Sequence, residues 1–183
     1  VDGEVWIVDP VDAEGVDELL EEFADPAGVV VSLDRHTRDS ATFATRYDVP
    51  VYVPRWMSGV ADDIDAPTRR FGAEFAGFGA IRLIDNPLWQ EAVLFDGETL
   101  LVPEALGTAA YFRAGEEALG VHPMLRLFPP ERLGDYDPER LLVGHGAGLS
   151  ENVGPTIRRA IARSRRTAPG LYARALGDLL GVR

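Results

Sequence analysis

The sequence predicts an α/β fold with parallel strand pairing, and two patterns carry that reading. Between Glu4 and Pro54, apolar runs of strand length alternate with stretches whose apolar residues recur at helical spacing. Farther on, short strands flank an Asp96-Gly97 turn, and helix-like stretches close the chain. Strand–helix–strand alternation needs crossover connections, and these pair strands in parallel.

Each element follows from its residues. Glu4 to Val8 is a short, mostly apolar run stopped by Asp9-Pro10, and reads as a buried strand. Val16, Leu19, Leu20 and Phe23 then recur at helical spacing, with Asp17, Glu18, Glu21 and Glu22 on the wet side; Pro26 and Gly28 are expected to end that helix. Val29-Val30-Val31 is a second buried strand, followed by a polar stretch from Ser32 to Ser40. A helix from Ser40 to Arg46 carries Phe43 and Ala44 inward, and Val49 to Val53 is a third strand ending at Pro54. Ala80 to Ile84, Glu91 to Phe95 and Thr99 to Val102 read as short strands, and Asp-Gly between the last two is a strong hairpin signal. Residues 103–139, rich in Pro and Gly, are expected to form loops with one short helix. Leu141-Leu142-Val143 is a final buried strand before the sharp turn Gly144-His145-Gly146. Asn152 to Arg166 and Leu171 to Leu180 read as two helices separated by Pro169-Gly170. No repeat, low-complexity tract or linker interrupts the chain. Residues 1–183, 46% of them hydrophobic, are therefore read as one domain with a sizeable core.

Composition narrows the function classes. No run approaches the ~18 consecutive apolar residues of a membrane span. The start, Val1-Asp2-Gly3-Glu4, has neither the basic nor the apolar segment of a signal peptide; its lack of Met reads as trimming or processing. Without Cys, disulfides and thiolate metal sites are excluded, which fits a cytoplasmic protein. Asp and Glu number 30 against 18 basic residues, all of them Arg, for a net charge of −12. Such a surface repels phosphate backbones, so nucleic acid is not an expected partner, and neither is a membrane. Acidic chains with Arg and no Lys resemble proteins of salt-loving archaea, whose ionic strength screens the repulsion. GC-rich codon usage is the competing source of the same bias.

Four stretches, in order, resemble the metallo-β-lactamase superfamily. They are the strand ending Val8-Asp9-Pro10, like that family's "IDP" strand; the strand–loop–helix–strand from Val29 to Pro54; the hairpin from Glu91 to Val102 with Pro103-Glu104-Ala105-Leu106, where the family places its "GD" aspartate; and Leu142-Val143-Gly144-His145-Gly146, matching the late "xGHG" turn. The resemblance implies a four-layer αββα sandwich, here with room for only part of the N-terminal hairpin. It also implies a metal site of zinc, iron or manganese at one edge of the two sheets, making a hydroxide at neutral pH.

The expected ligands are mostly missing. Active members carry His-x-His-x-Asp-His after the second strand, whereas this loop reads Arg35-His36-Thr37-Arg38-Asp39-Ser40. Aligned on the aspartate, Arg35, Thr37 and Ser40 take the histidine positions, Asp39 survives, and His36 falls one residue out of register. The segment from Asp85 to Gln90 lacks the mid-chain histidine. The resemblance thus carries over Asp39, Glu104 and His145 as ligands of a mononuclear site, and no two-metal centre. Each has a plainer role as well: helix capping for Asp39, pairing with an arginine for Glu104, a turn position for His145. His36 and His122 read as ordinary histidines. Arg35 or Arg38 is expected to stand in for the metal as counter-charge to Asp39 and Glu104, since a guanidinium stays ionised and forks onto carboxylates.

Three function classes follow, in order of preference. They are a non-catalytic family member with a binding or structural role, without a cofactor and with no catalytic residue assigned; a mononuclear metal-dependent hydrolase of an ester, lactone or phosphoester; and a metal-free enzyme whose arginines act on an anion. Arg158, Arg159, Arg163, Arg165 and Arg166 form a basic stretch that docks an acidic partner or neutralises the protein's own surface. The 103–139 region is a candidate contact surface for a homo-oligomer.

Overall fold

Valines dominate the first strands, and burial on both faces is what such runs require. The computed structural model describes residues 3–181; Val1 and Asp2, part of the start that lacks signal-peptide features, lie outside the described residues, as do Val182 and Arg183. The chain, read from sequence as one domain, divides into two compact units, Val1–Val93 and Leu94–Arg183.

In the first unit, β1 (Val5–Val8), β2 (Pro26–Val30), β3 (Val51–Pro54) and β4 (Thr68–Phe71) lie side by side in that order, each pair parallel. The helices α1 (Val16–Glu21) and α2 (Ser40–Tyr47) are the crossovers between the first three. Val29, Val31, Val51 and Val53 are fully buried and pack with Phe43, Ala44, Met57 and Val60. Two details depart from the expected pattern. Pro26 and Gly28 belong to β2 and do not end α1. Pro is tolerated as the first strand residue, and a Cβ on Gly28 would lie 2.7 Å from Tyr52 and 2.8 Å from Trp6, so the rings there demand glycine. The edge strand β4 carries no apolar alternation, because Thr68, Arg69 and Arg70 are all exposed. Charged side chains on an edge discourage further pairing.

The same unit holds β5 (Glu74–Phe75), antiparallel to β6 (Phe78–Asn86), which neighbours β7 (Trp89–Phe95). The boundary between the units falls inside β7. An antiparallel bridge joins Leu33 to Glu91 and ties the loop after β2 to β7.

In the second unit, Leu94 and Phe95 of β7 pair with Leu101 and Leu100 of β8 (Thr99–Val102), confirming the Asp-Gly hairpin. Asp96 clasps the turn by accepting the Glu98 and Thr99 amides at 2.9 and 2.6 Å. Two short strands, β9 (Leu106–Gly107) and β10 (Gly120–Val121), pair antiparallel, and β11 (Arg140–Val143) lies parallel to β8. Residues 103–139 thus hold these two strands and 3-10 turns at Ala110–Phe112, Pro123–Leu125 and Glu131–Asp135, in place of one short helix.

The two expected closing helices are one, α3 (Val153–Leu179), with Pro169 inside it. Pro169 forfeits one backbone hydrogen bond, but Ala168 and Leu171 on either side are buried, and that packing carries the helix through. Beneath it, Arg126 is fully buried and forks onto Glu117, with 2.6 Å between Nη2 and Oε2. The same guanidinium donates to Thr167 Oγ1 and the Phe112 carbonyl. Burial alone would raise the Glu117 carboxyl, but hydrogen bonds from Arg126, the Ala114 amide and Thr167 outweigh it and hold the group below its ordinary value.

Candidate functional site

In the first unit, the loop after β2 is held from both ends. Asp9, at the end of β1, adopts a left-handed backbone with φ 49°. Its carboxylate accepts the Ser32 amide at 2.8 Å and the Ser32 hydroxyl. The same carboxylate lies 3.4 Å from Nδ1 of His36, which is buried. Asp34 accepts the Gln90 amide at 2.8 Å and pairs with Arg35 at 3.1 Å. The Arg35 guanidinium also covers the Trp89 ring, 4.0 Å from its centroid, while the Trp89 indole N–H donates to buried Glu91 at 2.8 Å.

The remaining loop positions are also accounted for. Asp39 occupies the N-cap of α2, yet its side chain caps nothing there; it accepts the Asp12 amide at 2.9 Å instead. Ser40 is buried, with its hydroxyl 3.4 Å from the His36 carbonyl, and the Thr37 carbonyl accepts the Ser40 amide. Arg38 is exposed. Among the described residues neither Arg35 nor Arg38 reaches the Asp39 carboxylate; Arg35 is counter-charge to Asp34.

In the second unit, Glu104 follows β8 and lies between two imidazoles. Its Oε1 is 3.4 Å from Nε2 of His122 and 4.0 Å from Nε2 of His145. Side-chain exposures of 12%, 12% and 25% for Glu104, His122 and His145 make this a shielded cluster. Phe112 walls it, with ring centroids 5.3 Å from His122 and 5.5 Å from His145. The turn holding His145 is fixed by its own carbonyl, which accepts the Thr108 and Ala109 amides at 3.0 and 3.1 Å. Gly146 follows with φ 98°.

Hydrogen bonding limits which of these groups can ligate. A metal-bound imidazole ordinarily donates its other N–H to a neighbour. His122 does the reverse: its Nδ1 accepts the Met124 amide at 3.2 Å, so the ring proton sits on Nε2, facing Glu104. That nitrogen is a donor and not a ligand. Of the second unit's described residues, Glu104 and His145 are groups able to ligate. The loop after β2 carries one histidine, His36, and its carboxylates Asp34 and Asp39 accept backbone amides.

The comparisons with known proteins show the fold. No protein-family profile and no curated protein sequence matches this chain. Solved structures do, and the chain has the metallo-β-lactamase fold. One similar structure is TMB-1, at a TM-score of 0.54 and 13% identity, covering 90% of this chain and 83% of that one. Another is the DIM-1 metallo-β-lactamase exposed to ceftazidime, also at 0.54 and 13%, covering 91% of this chain and 80% of that one. Among the described residues no helix is long and apolar enough to cross a membrane.

Glu104 and His145 follow recognisable turns of the sequence, whereas their neighbour His122 does not. His122 sits in no motif; only the Pro after it, starting a 3-10 turn, hinted at an ordered position. Asp9 reads in the sequence as part of a strand terminator, and its contacts with Ser32 and His36 carry no local signal.

Proposed function

We propose that this chain is a non-hydrolytic protein of metallo-β-lactamase fold that uses the fold for binding or as a structural part. The observation that carries the reading is the employment of Asp39. This one carboxylate retained in the ligand loop is spent on the Asp12 amide. Its neighbour Arg35 is engaged likewise, with Asp34 and over Trp89. A catalytic metal needs about three protein donors and an open position for water. The inverted hydrogen bonding of His122 removes a donor that its location would otherwise offer.

The second reading is a mononuclear metal-dependent hydrolase of an ester, lactone or phosphoester, and the approach of Glu104 to His145 favours it. One experiment separates the two. The protein is purified at high salt without chelator, its zinc, iron and manganese are measured, and hydrolysis of those substrate classes is assayed. The non-hydrolytic reading expects substoichiometric metal and no turnover. Stoichiometric metal that disappears in His145→Ala, together with turnover, overturns it. The same measurement on Asp39→Ala and His36→Ala reports which residues of the loop after β2, if any, contribute.

A further inference from the structure

The helix α3 concentrates positive charge in an acidic protein. From Val153 to Gly177 it holds Arg158, Arg159, Arg163, Arg165, Arg166 and Arg174 and no Asp or Glu, although the chain carries −12. Three of these arginines are used locally. Arg158 pairs with Asp137 at 3.2 Å, Arg165 pairs with Glu131 at 3.0 Å, and Arg174 donates to the Ala110 and Arg113 carbonyls. The other three, Arg159, Arg163 and Arg166, make no ion pair or side-chain hydrogen bond among the described residues, and all are exposed.

Their spacing puts them on one face. Residues at i, i+4 and i+7 line up along a helix, and like charges so placed cost about 0.2–0.5 kcal/mol per neighbouring pair. Among the described residues of the second unit no acid forms an ion pair with these three arginines. Glu116 and Glu117 share a cleft of about 100 Å³ with Arg159 and Arg163, but Glu117 is committed to Arg126 and neither acid pairs with them. Farther along the same line stand Gly170, Ala173 and Gly177, so no bulky side chain blocks an approach.

The complementary chemistry is carried by the chain itself. In the segment around α1, Asp12 and Asp17 are taken by Arg46, whereas Glu14, Glu18, Glu21, Glu22 and Asp25 make no ion pair among the described residues. Leu19 and Phe23 between them are 55% and 68% exposed. At the far end of α3, Leu176, Leu179 and Leu180 are exposed too. Acid with exposed apolar side chains on one element therefore matches base with exposed apolar side chains on the other.

We propose that the Arg159–Arg163–Arg166 face docks the acidic segment 14–25 of a second copy of this chain. The contact joins two different surfaces, so association continues past a dimer unless the rotation closes a ring. At physiological salt the Debye length of about 8 Å screens the long-range repulsion between two acidic molecules, while pairs in contact persist.

Sedimentation equilibrium of the full chain, from micromolar to millimolar, tests this. The wild type is expected to self-associate. The triple variant Arg159→Glu, Arg163→Glu, Arg166→Glu and the triple variant Glu18→Arg, Glu21→Arg, Glu22→Arg are each expected to weaken association by about tenfold or more. An equimolar mixture of the two should restore it, because each reversed face then meets its opposite. Glutamine replacements at the three arginines repeat the loss if a reversed chain fails to fold. A wild type that stays monomeric, or association indifferent to either reversal, overturns the proposal. So does binding of a polyglutamate probe without self-association, which would assign the face to an unrelated acidic partner.

Discussion

His122 faces Glu104 with its protonated nitrogen, 3.4 Å away, because the Met124 amide claims the other side of the ring. The imidazole is thereby aimed as a donor at the carboxylate a metal would need. Long-range 15N–1H correlation is expected to find neutral His122 as the Nε2–H tautomer. Finding the Nδ1–H form would return this residue to the pool of ligands.

Gly146 sets the position of His145. Its φ of 98° suits glycine, and a Cβ there would press on Thr108 Oγ1 and lie 2.6 Å from the Ala109 nitrogen. Gly146→Ala is expected to cost on the order of 1–3 kcal/mol and to displace the His145 ring from Glu104. Thermal unfolding and the His145 ring resonances check both halves. Unchanged stability and shifts would show that the turn yields freely.

The buried pair of Arg126 and Glu117 should contribute to the acid stability of the second unit. Its folded-state carboxyl lies below the ordinary value, so its contribution is full above the ordinary glutamate range. That contribution is lost as pH falls through the lowered folded-state value. Arg126→Met leaves the carboxylate buried without its partner and is expected to cost about 3–5 kcal/mol at neutral pH. Urea unfolding across pH, with Glu117→Gln flattening the acid limb, is the measurement.

Asp39→Ala removes one acceptor from the Asp12 amide. A loss of about 1 kcal/mol is expected, with metal content unchanged. Urea midpoints together with metal analysis decide; a large change in bound metal with little change in stability would reverse the assignment.

Much of this fold was legible because its strands are short apolar runs bounded by Pro, Gly or Asp. The Val29 to Val31 run and the Asp96-Gly97 hairpin announce themselves locally. The edge strand Thr68–Phe71 does not, since its pairing comes from β3 and its first three side chains face water. Pro169 misleads for a related reason: burial of Ala168 and Leu171 is a tertiary effect that no local rule contains. Within the site, Glu104 and His145 follow recognisable turns. The direction of the His122 hydrogen bonds depends on a backbone amide placed by a 3-10 turn, which spacing alone does not encode.

All three tryptophans, Trp6, Trp56 and Trp89, belong to the first unit. Trp89 is gripped on its face by Arg35 and at its edge by Glu91. Intrinsic indole emission therefore originates wholly in the first unit. With Tyr47 and Tyr52 of the first unit replaced by Phe, Tyr111, Tyr136 and Tyr172 supply the optical handle on the second unit. Followed in parallel, the two chromophores turn an ordinary melting curve into a measure of whether the halves come apart together or in sequence.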